Sequence, residues 1–220
     1  MRLCPWGHDM GANPSVVDRF IPFPDVSERH EVLVHAPAAL VFDVAAHFDL
    51  QSIPLVRAIF WLRTALMRSK TASRWSPTGG LVSETTAMGW GTLASEPGRL
   101  HVAGAVAEPW LPDVRFRPIA PEQFASFAEP GLVKIVWTIE CEALEPTLTR
   151  FRTETRVAGT DAGARTKFRA YWRKAGIGIL LIRWLLLPAV RRQSERRFRN
   201  RHAAGASGPT IEPPMTTARR

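Results

Sequence analysis

The sequence predicts an α+β domain: about six to seven antiparallel strands, two helices after the first strand, and one long C-terminal helix. Three observations predict it. An alternating segment ends at a proline and leads directly into amphipathic helical spacing. The middle of the chain then breaks into short strand-like runs separated by Pro- and Gly-containing turns. Finally, helical spacing is sustained from about Thr160 to Arg201.

Taken in order, residues 1–27 are rich in Pro, Gly and Asp without a stable period, and read as an irregular lead-in. "ERHEVLVHAP" (Glu28 to Pro37) carries Val32, Leu33 and Val34 and reads as the first strand. "PAALVFDVAAHFDL" places Leu40, Val41, Val44 and Phe48 at helical spacing, with Pro37 in the first turn. "SIPLVRAIFWLRTALMRS" (Ser52 to Ser69) predicts a second helix with Leu55, Ile59, Leu62 and Leu66 apolar and Arg57, Arg63 and Arg68 on a wetter face. Lys70 to Thr86, with "SPTGG", reads as a loop. "MGWGTLAS" and "RLHVAGAVAE" form a hairpin through "EPG". "EPWLPDVRFRPIAPEQ" is a connection with one short strand, and "QFASFAEPG" is a strand and turn. "LVKIVWTIECEAL" and "TLTRFRTETRVAGT" are long neighbouring strands. In the latter, Phe151, Thr153, Thr155 and Val157 face one way, while Arg150, Arg152, Glu154 and Arg156 form a charged surface. Thr160 or Asp161 caps the long helix, whose Gly176, Gly178 and Pro188 predict kinks. The domain proper is then residues 28–200, and 201–220 reads as a disordered tail.

Cys4 and Cys141 form no CxxC pair and the six histidines show no ligand spacing, so neither a disulfide framework nor a metal site is expected, and no cofactor is indicated. The N-terminus has no apolar signal core, which makes the cytoplasm the expected location. The net charge of +9 is local: Arg165 to Arg201 holds twelve Lys/Arg against Glu195, a net +11, leaving −2 for the rest. That cluster has no aromatic interleaving beyond Phe198, so nucleic acid is not an expected partner.

The run "GIGILLIRWLLLPAV" decides between a membrane span and a core helix. Ala175 to Val190 would cover about 24 Å as a helix, short of a hydrocarbon core of roughly 30 Å. Arg183 in its middle adds about 2.5–3.5 kcal/mol against insertion. The run therefore reads as a core helix with Phe168, Trp172, Ile179, Ile182 and Leu186 on its buried stripe, and Tyr171, Lys174 and Arg183 away from it. Trp184 and the arginines from Arg191 to Arg201 also suit peripheral contact with anionic lipid.

Three segments carry a family resemblance. "HEVLVHAPAALVFDVAAHF", "FASFAEPGLVKIVWTIE" and "TETRVAGTDAGARTKFRAYWRKAGIGILLIRWLLLPAVRRQSE" resemble the opening strand and helix, the central strands, and the last strand and gripping helix of the SRPBCC superfamily. That group includes START-related lipid-transfer proteins, polyketide cyclases and birch-pollen allergens. The resemblance spans Glu28 to Arg197 and implies the helix-grip fold, a curved sheet wrapped on the last helix around a mostly apolar cavity. The superfamily shares no catalytic motif, so it assigns no catalytic residue here. The second helix is longer than in the allergen-like members, suiting a lid or a thickened cavity wall, and the proline-rich stretch from Trp110 to Pro121 has no family counterpart assigned.

In such a cavity the wall candidates are Trp90, Trp110, Phe127, Trp137, Phe151, Thr153, Phe168, Trp172 and Ile179, although core packing explains each of them equally well. The function expected is a soluble carrier of a hydrophobic small molecule such as a lipid, polyketide or isoprenoid. The alternatives are a cyclase or hydratase working in the same cavity and a protein docking peripherally on membranes. Catalysis would need an acid/base group, for which His35, His101, Glu154 and Tyr171 are the available types.

Overall fold

The structure, a computed structural model, describes residues 15–67 and 79–206. Strand β1 (Val26–Val34) is followed by helices α1 (Ala38–Ala46), α2 (Pro54–Met67) and α3 (Gly80–Ala87), then by the hairpin β2 (Gly91–Glu96) and β3 (Leu100–Ala107). A short helix α4 (Pro121–Phe124) precedes β4 (Val133–Glu145), β5 (Leu148–Gly159) and the 45-residue α5 (Ala162–Ala206).

The five strands form one antiparallel sheet in the order β1-β5-β4-β3-β2. Consecutive strands from β2 to β5 are neighbours; tight turns join β2 to β3 and β4 to β5, and the longer connection through α4 joins β3 to β4. Gly98 supplies the positive φ (72°) that the β2–β3 turn requires. The exception is β1, which pairs with the last strand, so that α1 to α3 span from one edge of the sheet to the other. Helix α5 then lies across the face that α1 also covers, and the arrangement is a helix grip.

That inner face holds the largest core, where Val34, Ile139, Cys141 and Phe151 of the sheet meet Val41 and Val44 of α1 and Leu186, Leu187 and Val190 of α5. A second core lies on the outer face: Val17, Phe20 and Ile21 pack against Leu93, Leu100, Val102, Phe124 and Val136. Gly104 is needed there, because a Cβ would fall 2.3 Å from Leu93 Cδ1. A third, smaller cluster gathers Val26, Val133, Val157 and Phe168 near the start of α5.

Several expectations change. Among the described residues the sheet has five strands rather than six or seven, and the proline-rich connection contributes an isolated bridge between Val106 and Arg117. Three helices, not two, follow β1: part of the expected loop is α3, while residues 68–78 lie outside the described residues. The start of "QFASFAEPG" ends helix α4, because Pro121 at its first turn and burial of Phe124 favour one helical turn over a strand. Strand β1 begins at Val26, and Val16–Arg19 forms a 3-10 turn within the outer core instead of an irregular lead-in. The charged side of β5 is surface only at one end, where Arg150 and Arg152 pair with Glu31 and Glu142. Glu154 is 3% exposed, accepts hydrogen bonds from Ser15 (2.8 Å) and Arg156 (2.7 Å), and lies under the N-terminal segment. Residues 1–14, with Cys4, and 207–220 of the expected tail lie outside the described residues; 201–206 belong to α5.

Helix α5 starts where Asp161 accepts from the Ala164 N–H at 2.8 Å, and its carboxyl also receives the Gly131 N–H. These bonds favour the charged form and hold its pKa below the ordinary value. The helix is continuous through Gly176, Gly178 and Pro188. Gly178 has a packing reason, since Ile59 Cγ2 of α2 lies 3.3 Å from where its Cβ would be. Among the described residues no helix is long and apolar enough to cross a membrane.

Candidate functional site

The inner face is built from alternate residues of each strand, and it is not uniformly apolar. On β1 the residues in phase with the core positions Val26, Val32 and Val34 are Glu28 and His30. On β5 they are Phe151, Thr153, Thr155 and Val157. The strand register sets His30 opposite Thr153 and Glu28 opposite Thr155, and Thr155 lies opposite Trp137 of β4. The polar side chains therefore form a patch across adjacent strands beneath α5.

Arg183 completes the patch from above. Its guanidinium donates to the Glu28 carbonyl at 3.0 Å and to the Thr155 hydroxyl. Sequence reasoning set this arginine away from the buried stripe; the structure turns it inward, where the sheet offers it acceptors. Burial first of all, against the attraction of Glu28 and Glu154, lowers its pKa to about 10, so it stays cationic at neutral pH. The arginine that interrupts the apolar run thus has a structural partner set in the sheet.

Two atoms of the patch have no hydrogen-bond partner among the described residues although both are buried: His30 Nε2 and Thr153 Oγ1. Glu28 Oε2 stands 3.7 Å from His30 Nε2, beyond hydrogen-bonding distance. Burial, and then the Arg183 charge, lower the His30 pKa against the pull of Glu28, which favours a neutral imidazole. One row further along the sheet, His101 is 5% exposed, its ring 5.8 Å from that of Trp137, and burial lowers its pKa as well. Cys141, on the same face, has its thiol pushed up to about 12 by burial and is not a nucleophile at neutral pH.

Of the residues singled out from sequence, Trp137, Phe151 and Thr153 lie together on this inner face. Phe168 and Trp172 stack at 5.7 Å in the third cluster, with Trp110 packed against it and facing Lys167. Trp90 lies apart, against Phe116 at 4.9 Å, and Phe127 lies beside Arg117. The Ile179 side chain lies outside the described residues, although its backbone is part of α5. Among the acid/base candidates, His35 is exposed past the end of β1, Glu154 is on the opposite face of the sheet, and Tyr171 is half-buried beside Phe168. His30 and Glu28 were missed. Their signal was present: both fall in phase with Val26, Val32 and Val34 along β1.

Two concavities of about 300 and 290 Å³ lie elsewhere. One sits between the start of α1 and the end of α5, lined by Leu40, Phe198 and His202. The other is beside β3, lined by Val106, Leu111 and Arg117. Among the described residues no cluster of His, Cys, Asp and Glu is placed to hold a metal ion.

No family model matches the chain, and no curated protein matches it. Among solved structures it is similar to the Zhui aromatase/cyclase from Streptomyces sp. R1128, at 15% identity over 78% of this chain and 94% of that one, with a TM-score of 0.29. A superposition that loose carries no argument about activity. The class is defined by this chain's own topology: a helix-grip α+β protein with a polar patch set into an apolar inner face.

Proposed function

We propose that this chain belongs with the SRPBCC superfamily and binds an amphiphilic small molecule between the inner face of its sheet and α5. The apolar body of the ligand would lie against Trp137, and its polar group would meet His30, Thr153 and Arg183. One observation carries the reading: His30 Nε2 and Thr153 Oγ1, on residues opposite each other in register, are buried without a hydrogen-bond partner among the described residues. Leaving such a group unpaired costs about 1–3 kcal/mol, so two on one apolar wall favour a ligand that pairs them. Arg183 nearby favours an anionic or strongly accepting group.

Native mass spectrometry of the purified protein, with solvent extraction of what it carries, tests this. The expected result is a co-purifying compound or saturable binding of anilinonaphthalene sulfonate, weakened about tenfold by Thr153→Val with His30→Leu. Protein that carries nothing and binds neither that probe nor a fatty acid would overturn the reading. A specific observation also favours chemistry in the same place. His30 lies in the polar patch and is held toward its neutral form by burial and by Arg183, and the neutral imidazole is the form a general base requires. In that case His30→Gln would abolish turnover of a bound polyketide-like substrate while leaving its binding within a few-fold.

A further inference from the structure

Helix α5 has a second apolar face that no described residue covers. Ile177 is 75% exposed, Trp184 72% and Leu181 36%, and their spacing of four and three residues puts them on one stripe. Pro188, a further four residues on, is exposed on the same line. This stripe is opposite the one that buries Phe168, Leu186 and Val190. Near it, α2 crosses α5 at Ile59 and Gly178.

The stripe is framed by cations. One turn before it stand Arg173 and Lys174, and one turn after Pro188 stand Arg191 and Arg192. Arg173, Lys174 and Arg192 are exposed and have no ion-pair partner among the described residues, whereas Arg191 pairs with Glu195. From Ala162 to Gln193 the helix contains no acidic residue. One indole ring, two aliphatic side chains and cations at both ends complement an anionic lipid surface: the ring and chains enter the headgroup boundary while the cations meet phosphates. A protein partner would need a matching acidic rim, and a second copy would bring the same cations face to face, which the charge opposes.

We propose that the outer stripe of α5, Ile177–Leu181–Trp184 with Arg173, Lys174 and Arg192, docks the protein peripherally on anionic membranes. This stands apart from the ligand reading and does not depend on it. The test is co-sedimentation of the full chain with vesicles of phosphatidylcholine alone and of phosphatidylcholine with phosphatidylglycerol. Binding is expected only to the anionic vesicles and to weaken in high salt. Trp184→Ser, a change at an exposed position, is expected to lower partitioning about tenfold. Arg173→Glu with Arg192→Glu should do the same at low salt and leave unfolding temperature unchanged. Failure to bind anionic vesicles, or Trp184→Ser binding like the parent, overturns the proposal. So does a dimer in light scattering that Trp184→Ser dissociates, because the stripe would then be a self-association face.

Discussion

His30 binds a proton less readily in the folded chain than its usual pKa of 6.5 would allow, because burial and then Arg183 oppose the charge. His101 behaves alike through burial alone. The unfolded chain therefore takes up more protons as pH falls through 6.5, and stability decreases across that window. Glu84 works the other way: burial and then Asp49 raise its pKa, so it gains stability as pH drops. The test is a comparison rather than a single curve. Between about pH 7.5 and about pH 5.5 the parent is expected to lose more melting temperature than His30→Gln does. Equal losses in calorimetry would mean that His30 is solvated in the folded state. At this scale the sequence showed Thr153 as an inward hydroxyl because β5 alternates strictly. Glu28 and His30 alternate just as strictly, but charged types in a first strand read as surface until β5 and α5 are placed over them.

The long elements were legible because their periods run for many residues. β4 and β5 match the strands expected, and α5 matches the helix, capped by Asp161. The short ones were not. "PEQF" is one turn of helix because Phe124 is fully buried between the sheet and Phe20, a fact of packing that four residues cannot announce. The sequence of α3 reads as loop because "GLVSETTA" is rich in β-branched and hydroxyl residues, which weaken helical propensity; burial of Leu81, with Val82 packed against the inner core, outweighs it. Gly104 tests the fit of strand to helix in this layer. Its missing Cβ is replaced in space by Leu93 and by Phe124 Cε2, 2.9 Å away. Gly104→Val is expected to destabilise by about 1–3 kcal/mol through overpacking. Urea titration should show a lower midpoint at constant slope; an unchanged midpoint would mean that this layer is loose.

As a whole, the molecule uses both faces of its sheet. The inner face takes α1 and α5, and the outer face is closed by a segment that precedes the first strand. Phe20 is 2% exposed and meets Phe124 edge-on at 6.1 Å, while Asp18 and the Ile21 carbonyl both accept from Arg156. Phe20→Ala is accordingly expected to cost about 3–5 kcal/mol in chemical unfolding. A loss below about 1 kcal/mol, the scale of an exposed site, would show that the segment does not seal the core.

The sequence by itself determined the class of the fold: periods of two and of 3.6 residues are local, and they write out strands and helices wherever they persist. It also determined that the apolar run with Arg183 inside it is too short and too interrupted to span a bilayer. Only the tertiary structure decided which polar residues are inside. Arg183 faces the sheet because Glu28, 155 positions earlier, offers its carbonyl. His30 meets Thr153 because the first strand pairs with the last. Those partners are set by register and chain crossing over most of the length of the molecule, which no local period encodes.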